Sequence, residues 1–346
     1  MANAIKKGNT TANLHAAKVN KNDEFYTQRA DIEKELNNYN HLSPYNHFKN
    51  RIVYCNCDDP AESHFFRYFA DNFSAIGLKK LICTHYENDH KKKSYVLTIT
   101  KGNDKNKDGK MGRADVEQTN FLFSNGDFRS DECLELLKEA DIVVTNPPFS
   151  LFREYVAQLV EYEKKFLIIG NKNATTYKEI FPLIKANKIW LGASIHSGGL
   201  DFRVPKEWEV ISKYSKYDAE GNRYINMPGV RWFTNLDYPR RHEDFIPKNY
   251  KTYNDNKNDY PKYDNYDAIE VGKTADIPID YTMVMGVPIS FFDKYSPEQF
   301  EILGMGEDNG KGQSGGLWQG GKLNCLVNKK AMFKRVFIRR IQKEIK

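Results

Sequence analysis

Residues 141–149 read Asp141-Ile142-Val143-Val144-Thr145-Asn146-Pro147-Pro148-Phe149. The first five predict a short strand, because apolar and β-branched residues predominate and turn-forming residues follow at once. The two prolines end that strand, and Pro148 restricts Pro147 to an extended conformation. The stretch therefore predicts a strand followed directly by an Asn side chain, a backbone carbonyl of fixed direction and an aromatic ring.

An apolar strand that ends in Asn-Pro-Pro-aromatic is typical of enzymes that methylate an exocyclic or amide-type nitrogen. The exocyclic amine of adenine is a poor nucleophile, because its lone pair is delocalised into the ring. The side-chain oxygen of Asn146 and the carbonyl of Pro147 are two neutral, preorganised acceptors for the amine hydrogens, and they would localise that pair. Phe149 offers a flat face on which a base can stack. The methyl donor must be a sulfonium, hence S-adenosylmethionine, and a base in duplex DNA must flip out to reach such a pocket.

Strand-like and helix-like segments alternate through the first two thirds of the chain with short links, which predicts an α/β fold with a doubly wound parallel sheet. Residues 88–119 interrupt the pattern as a Lys-, Asp-, Asn- and Gly-rich insertion with a hairpin around 95–100. The predicted strands are Arg51–Cys55, Leu81–Cys83, Phe121–Phe123, Ile142–Thr145 and Lys165–Gly170, with later candidates at Ile189–Gly192 and Val230–Asn235. The predicted helices start near Asp58 and cover 131–139 and 151–162.

Positive charge is concentrated in three segments of a chain whose net charge is +6. These are residues 1–22, which predict a flexible arm, the insertion at 88–113, and residues 321–346. The rest of the chain is acidic, and such a division is typical of a protein that binds a polyanion. Residues 333–341 predict a basic strand, and we expect Arg335, Arg339 and Arg340 to hold DNA phosphates.

The five cysteines are scattered, and neither a Cys-x-x-Cys pair nor a His cluster at metal spacing occurs in the sequence. The sequence therefore predicts no metal centre and no disulfide framework. A secretory signal and a long apolar run are also missing from it, so we expect a cytoplasmic, nucleoid-associated protein of bacterial or phage origin and no membrane contact.

The chain resembles the EcoRI-type adenine-specific DNA methyltransferases over nearly its full length. Segments that carry the resemblance occur from the N-terminal region to the last third of the chain. They are residues 23–28, 54–60, 126–130, 141–152, 188–192, 261–269, 285–289 and 297–300.

This resemblance implies a Rossmann-like, S-adenosylmethionine-dependent methyltransferase that methylates N6 of adenine in a short duplex site of a restriction-modification system. The sequence pattern changes past residue 239, where Tyr, Asn, Asp and Pro dominate, so we expect a catalytic domain at 23–238 and an appended DNA target-recognition region at 239–346. The resemblance assigns donor binding to Phe25, Tyr26 and Thr27 at the methionine end and to Asp127 and Phe128 near the adenine ring. It assigns the acceptor site to Asn146, Pro147, Pro148 and Phe149. A monomer would suffice, and a cognate restriction endonuclease would act without forming a stable complex with it.

The turn after the first strand departs from the glycine-rich pattern common in this superfamily. It reads Cys55-Asn56-Cys57-Asp58-Asp59, and we expect Asn or Asp to supply any left-handed backbone there. Cys55 and Asn56 would line the donor site, and Asp58 or Asp59 would either pair with the donor's ammonium group or cap the next helix. Glu87 is the nearest acid after the second strand, and it would either bind the donor ribose or lie exposed in a loop.

Three other functions remain open on the sequence. Cytosine N4 methylation uses the same acceptor logic, although Asn146 and Phe149 at the ends of the motif favour adenine. Glutamine methylation of a protein is disfavoured by Phe149 and by the basic C-terminal region. A catalytically silent DNA-binding protein is disfavoured by the intact motif at 146–149. The DNA recognition sequence cannot be derived from these residues.

Overall fold

The computed structural model of the chain describes residues 26–40, 44–57, 59–87, 94–121, 123–195, 198–204, 215–306 and 325–342. Packing divides the chain into two compact units. Unit 1 comprises residues 1–40, 47–171 and 198–230, and unit 2 comprises 41–46, 172–197 and 231–346. The predicted division by role, with a catalytic domain up to 238 and target recognition beyond it, stays a prediction.

Six α-helices and seventeen strands are described. The helices are α1 (Arg29–Leu36), α2 (His64–Asp71), α3 (Phe73–Ile76), α4 (Asp131–Glu139), α5 (Phe152–Glu161) and α6 (Phe181–Lys185). The first eight strands are β1 (Ile52–Cys55), β2 (Lys80–Thr84), β3 (Tyr95–Thr100), β4 (Glu117–Asn120), β5 (Ile142–Thr145), β6 (Lys165–Asn171), β7 (Trp190–Leu191) and β8 (Gly199–Val204). The others are β9 (Ser215–Tyr217), β10 (Arg223–Pro228), β11 (Val230–Thr234), β12 (Ile269–Glu270), β13 (Met285–Pro288), β14 (Phe300–Met305), β15 (Leu326–Val327), β16 (Lys330–Ala331) and β17 (Arg335–Arg340).

The central sheet of unit 1 has the parallel core that the sequence predicts. Six of its strands lie in the order β4-β3-β2-β1-β5-β6. β1 runs parallel to β2 and β5, and β5 runs parallel to β6. Every residue of β1 and β5 is buried. Such strands require helices on both faces of the sheet, and the alternating helices supply them, so the Rossmann-like fold is confirmed.

The insertion extends this sheet with an antiparallel hairpin, β3 and β4, beside β2. The prediction of a parallel strand at Phe121–Phe123 is wrong for the two residues that the structure describes, Phe121 and Phe123, because β4 is antiparallel and ends at Asn120. Phe123 is 93% exposed, and Leu122 lies outside the described residues. Aromatic content alone suggested a strand there.

The helix after β1 begins later than the sequence predicts. Ser63 is its N-cap, and its hydroxyl accepts a hydrogen bond from the Phe65 backbone N–H at 3.2 Å. Asp59 instead stabilises a turn, since its carboxylate accepts from the Ala61 N–H at 2.9 Å. The next helix, α3, ends at Gly77, whose φ of 73° lies in the left-handed region that glycine favours.

Unit 1 also contains a three-stranded antiparallel sheet, in the order β8-β10-β9, which the sequence analysis missed. Leu200, Phe202 and Val204 of β8 are buried, and the intervening residues are partly exposed. This alternation is the ordinary signal of a strand with one covered face.

Unit 2 contains the two later strands that the sequence predicts, β7 and β11, which pair antiparallel. Its other main sheet has the order β12-β13-β17-β14, so the basic strand β17 lies between two partners. A core of Tyr263, Ala268, Cys325, Val327 and Phe337 supports it. Among the described residues, no helix is long and apolar enough to cross a membrane.

Candidate active site

The acceptor segment lies at the carboxyl end of β5. Asn146 and Pro147 are buried, and the carbonyl of Pro148 accepts a hydrogen bond from the Leu151 N–H at 3.0 Å. That bond starts a short 3₁₀ turn, Phe149–Leu151, which leads into α5. Pro148 has φ of −54° and ψ of 125°, which is an extended conformation. The predicted extended conformation of Pro147 stays a prediction. Phe149 is partly exposed, which leaves part of its ring surface open.

The end of β1 is attached to the acceptor strand through Asn56. The Thr145 hydroxyl donates to the Asn56 backbone carbonyl, and the Tyr155 hydroxyl donates to Asn56 Oδ1. Burial raises the pKa of Tyr155, so its hydroxyl keeps its proton and acts as the donor. Asn56 is therefore held by β5 and by α5, and its side-chain oxygen is directed into the protein.

Cys57 supplies the left-handed backbone of the glycine-free turn, with φ of 71°. We expected Asn or Asp to adopt the left-handed conformation. Among the described residues of this turn, that expectation is wrong. Cys55 is buried as the last residue of β1. Asp58 lies outside the described residues, so its predicted contact with the donor stays a prediction.

A polar group gathers at the carboxyl ends of β1 and β2. His85 lies between two acids, with its Nδ1 at 3.6 Å from Asp59 Oδ1 and its Nε2 at 3.5 Å from Glu87 Oε2. The Tyr95 hydroxyl donates to Asp59 Oδ1 at 3.0 Å, and its ring stacks on His85. Burial and the charge of Asp59 raise the pKa of Tyr95 well above its ordinary value. The side chain of Glu87 is only 14% exposed, so it is not a freely solvated loop residue.

Gly126 lets the next loop approach the end of β2. Its φ is 81°, and a Cβ there would overlap with the His85 carbonyl. The carboxylate of Asp127, which follows, accepts hydrogen bonds from Arg129, at 2.9 Å from Nε and 2.6 Å from Nη2. These bonds hold the pKa of Asp127 below its usual value, although burial opposes them. The ring of Phe128 is buried and meets Tyr155 edge to face at 5.0 Å.

The N-terminal motif is attached to β8. Tyr26 and Arg203 exchange both backbone hydrogen bonds at 3.1 Å, and the Arg203 guanidinium lies 5.6 Å above the Tyr26 ring. Arg203 also forms an ion pair with Glu62 in the turn after β1. Phe202, the neighbour of Arg203, meets Phe149 at 6.5 Å between ring centres and an angle of 87°. One strand thus contacts the predicted donor motif and the predicted acceptor motif.

Thr27 provides the clearest sign of a ligand. It is 2% exposed, and its Oγ1 is buried with no hydrogen-bond partner among the described residues. A buried hydroxyl in this condition is costly unless a ligand or water satisfies it. The residues present therefore fit a polar group of the donor beside Thr27. Phe25 lies outside the described residues.

Sequence reasoning missed four residues that build this site: Thr145, Tyr155, Phe202 and Arg203. The alternation of apolar and polar residues in β8 could have predicted the strand that contains Phe202 and Arg203. In contrast, nothing in the local sequence marks Tyr155 as the partner of Asn56. Within the described part of the chain, no group of three or more His, Cys, Asp or Glu side chains is gathered to hold a metal ion.

Comparisons with known proteins identify the family. The family described as "Adenine-specific methyltransferase EcoRI" matches residues 13–341. The Type II methyltransferase M.EcoRI of Escherichia coli is 51% identical over 298 residues, which cover 84% of this chain and 88% of that protein. M.MgeORF184P of Mycoplasma genitalium is 38% identical over 292 residues, covering 84% of this chain and 85% of its own. M.MpnI of Mycoplasma pneumoniae is 38% identical over 298 residues, covering 84% of each chain. The chain therefore belongs to the EcoRI family of adenine-specific type II DNA methyltransferases.

Proposed function

We propose that this enzyme transfers the methyl group of S-adenosylmethionine to N6 of an adenine that is flipped out of a short duplex site. The methylated site would then resist a cognate restriction endonuclease. The observation that carries this proposal is the buried Asn146 at the carboxyl end of β5, with Phe149 packed on the same strand that holds Tyr26. The contacts of Phe149 and Tyr26 with β8 support the proposal that the acceptor and donor motifs act together.

Asn146 and Pro147 act on the amine of the target base. The Asn146 side-chain oxygen and the Pro147 carbonyl accept its two hydrogens, and both groups are buried. Buried acceptors are effective because water does not compete with them and they need little reorganisation. Phe149, which is partly exposed, stacks against the base and keeps its amine in the plane of the acceptors.

On the donor side, the chain supplies a buried hydroxyl, a rigid turn and an acidic group. Thr27 binds the methionine end, Glu87 binds the ribose hydroxyls, and the segment of Asp127 and Phe128 borders the adenine ring. S-adenosylmethionine would supply a methyl group already activated by a sulfonium, and S-adenosylhomocysteine would leave as a neutral thioether. The amine becomes acidic as it is methylated and releases one proton to solvent, so the protein needs no strong general base. Asn56 and Tyr155 hold the turn after β1 in place.

DNA contacts belong to other segments. Loops in residues 239–320 read the site, and the basic segments at 1–22, 88–113 and 321–346 hold phosphates, whose contacts fix register without reading sequence. The enzyme works as a monomer, because each visit methylates one amine. It acts independently of any cognate endonuclease in the cytoplasm, close to the nucleoid.

Expression in cells that lack adenine methylation tests the proposal. Sequencing of modified bases should show N6-methyladenine in one short motif, and Asn146→Ala expressed at the same level should leave that motif unmodified. Methyl groups found on N4 of cytosine, or on protein glutamine only, would overturn it. The same sequencing data give the recognition sequence directly.

A further inference from the structure

The loop that joins β3 to β4 contains a twelve-residue pattern of acidic, amide and glycine residues that the proposed phosphate contacts do not use. Residues 104–115 read Asp104-Lys105-Asn106-Lys107-Asp108-Gly109-Lys110-Met111-Gly112-Arg113-Ala114-Asp115. Asp, Asn and Asp stand at positions 1, 3 and 5, Gly at position 6, and Asp at position 12. Calcium-binding loops use this spacing, because alternate side chains and the carbonyl of position 7 converge on one ion while Gly at position 6 makes the sharp turn.

The backbone of this loop has the required turn. Gly109 has φ of 78°, and its N–H donates to Asp104 Oδ2 at 2.8 Å, which folds position 6 back onto position 1. The Asp108 N–H donates to Asn106 Oδ1 at 3.2 Å, which keeps positions 3 and 5 on the same side. This geometry shows that the loop can form the cage, but it does not by itself indicate an ion.

The carboxylate of Asp104 provides that indication. Asp104 Oδ1 is shielded from solvent and has no hydrogen-bond partner among the described residues. Asp115 is 1% exposed, and its oxygens turn into the loop, 2.8 Å from the Lys105 N–H and 2.8 Å from the Gly112 N–H. Neither carboxylate forms an ion pair with a described residue. Burial of a carboxylate costs free energy unless a cation or hydrogen-bond donors compensate it. The two N–H groups compensate Asp115 at position 12, whereas Oδ1 of Asp104 at position 1 has no such partner among the described residues and is the oxygen that a cation would satisfy.

Basic residues of the loop do not supply that partner. Arg113 extends outward to Asp71, with its Nε at 2.5 Å from Asp71 Oδ1. The Lys105 amine donates to the Val116 carbonyl at 2.8 Å. Their charges still weaken cation binding, and Asp at position 12 reaches less far than the usual Glu. We therefore expect modest affinity, with a dissociation constant between about 10⁻⁵ and 10⁻³ M.

The geometry points to a calcium site in this loop, and we propose that Asp104, Asn106, Asp108, the Lys110 carbonyl and Asp115 bind one Ca²⁺ ion. The three carboxylates among these ligands are not gathered into a ready-made metal site in the described residues, so they would have to move together when the ion binds. Asp108 is exposed and would turn inward on binding. The ion would fix the β3–β4 hairpin, which contacts α3 through hydrogen bonds between Ser74 and Met111. This inference is independent of the proposed function.

Calorimetric titration of the full-length enzyme, stripped with a chelator, tests the proposal with CaCl₂ and MgCl₂ in separate runs. The wild type should bind one Ca²⁺, and added Ca²⁺ should raise its melting temperature. Asp108→Ala removes an exposed ligand at little risk to folding, and Asp104→Asn keeps an acceptor for Gly109. Each should raise the dissociation constant for Ca²⁺ by about tenfold or more, since affinity follows the charge of the ligands.

Glu117→Gln is the matched control, because Glu117 lies in the same hairpin but outside the twelve positions. It should bind Ca²⁺ as the wild type does. Absence of binding by the wild type at millimolar Ca²⁺, tighter binding of Mg²⁺ than of Ca²⁺, or equal binding by the wild type and both loop variants would each overturn the proposal. Circular dichroism of every variant separates lost binding from lost folding.

Discussion

The Tyr155 hydroxyl donates a hydrogen bond to Oδ1 of Asn56, ninety-nine residues away in sequence. This contact joins helix α5 to the turn that follows β1, and both groups are buried. Most enzymes with this fold use glycine to bring that turn close to the cofactor. Here a buried side-chain bond fixes the position of a turn that has no glycine.

Tyr155→Phe should therefore weaken donor binding and destabilise the fold. The substitution leaves a buried oxygen of Asn56 without its donor, which costs about 1–3 kcal/mol of unfolding free energy. Urea denaturation and a titration with S-adenosylmethionine would measure the two effects. Tyr217→Phe is the control, because Tyr217 is a strongly exposed residue of the same unit. If both variants bind the donor equally well, the bond does not shape the donor site.

Asn146→Ala should lower kcat by about 10²-fold or more, in line with the loss of a preorganised polar contact. KM for DNA and the dissociation constant of the donor should change little, because this acceptor acts mainly as the amine rehybridises in the transition state. Single-turnover methyl transfer is the measurement. A variant with near wild-type turnover would show that Asn146 is not the acceptor.

Local sequence was sufficient to predict the parallel core and the acceptor turn. β5 and the segment 146–149 are defined by neighbours in the chain, namely an apolar run and two prolines. Pairs that form across the chain could not be read in this way. The bond of Tyr155 to Asn56 and the contact of Phe202 with Phe149 depend on which elements become neighbours after folding.

The burial and the partners of charged residues were the hardest features to predict from the sequence. The alternating basic strand suggested a row of side chains facing DNA, yet the fold buries Arg335 against an acid sixty-five residues away. The aromatic pair Phe121 and Phe123 suggested an interior strand, yet Phe123 is almost fully exposed. Composition gives the number of charges and rings, whereas their burial depends on partners that are remote in sequence.

Phe149→Ala should weaken binding of the flipped base by roughly 1–3 kcal/mol, the value of one base stacked on an aromatic ring. Phe149→Trp should retain most of the affinity, because a flat ring surface remains. Fluorescence of 2-aminopurine at the target position reports base flipping in both variants. Equal losses in the Ala and Trp variants would exclude stacking as the role of this residue.

His242 should make the stability of unit 2 depend on pH. Its ring lies between two carboxylates, with Nδ1 at 2.7 Å from Glu298 Oε1 and Nε2 at 2.8 Å from Asp237 Oδ2. Partial burial lowers the pKa of His242, but its hydrogen bonds to Glu298 and Asp237 outweigh burial and leave the pKa above the ordinary value. Only the protonated ring can donate to both acids at once.

Proton linkage determines the direction in which stability changes with pH. Between the unfolded pKa of about 6.5 and the higher folded pKa, the native state binds more protons, so stability falls as pH rises. The stabilisation is fully present below the unfolded pKa and is lost as pH passes the folded one. Urea midpoints measured from mildly acid to mildly alkaline pH should decline in the wild type and decline less in His242→Gln. Parallel declines in the two proteins would contradict the assignment.

Variants of Arg335 and Arg339 should distinguish a role in protein stability from a role in DNA binding. Arg335 lies with Nη2 at 2.6 Å from Glu270 Oε1, and its side chain is 8% exposed. Arg339 meets Glu301 at the same distance, but both side chains are 50% exposed. Removing one partner of a buried pair costs about 3–5 kcal/mol. An exposed pair contributes about 0–1 kcal/mol.

Arg335→Ala should therefore destabilise the enzyme strongly, and Arg339→Ala hardly at all, by urea denaturation. In DNA titrations at several salt concentrations, each lost phosphate contact flattens the log–log slope by about 0.9. We expect Arg335→Ala, studied well below its melting temperature, to keep the wild-type slope, because its guanidinium is already occupied by Glu270. Any flattening should come from Arg339→Ala or from the lysines of the 88–113 insertion. A flatter slope in Arg335→Ala alone would mean that DNA binding opens the buried pair, and the sheet containing β17 would then belong to the DNA interface.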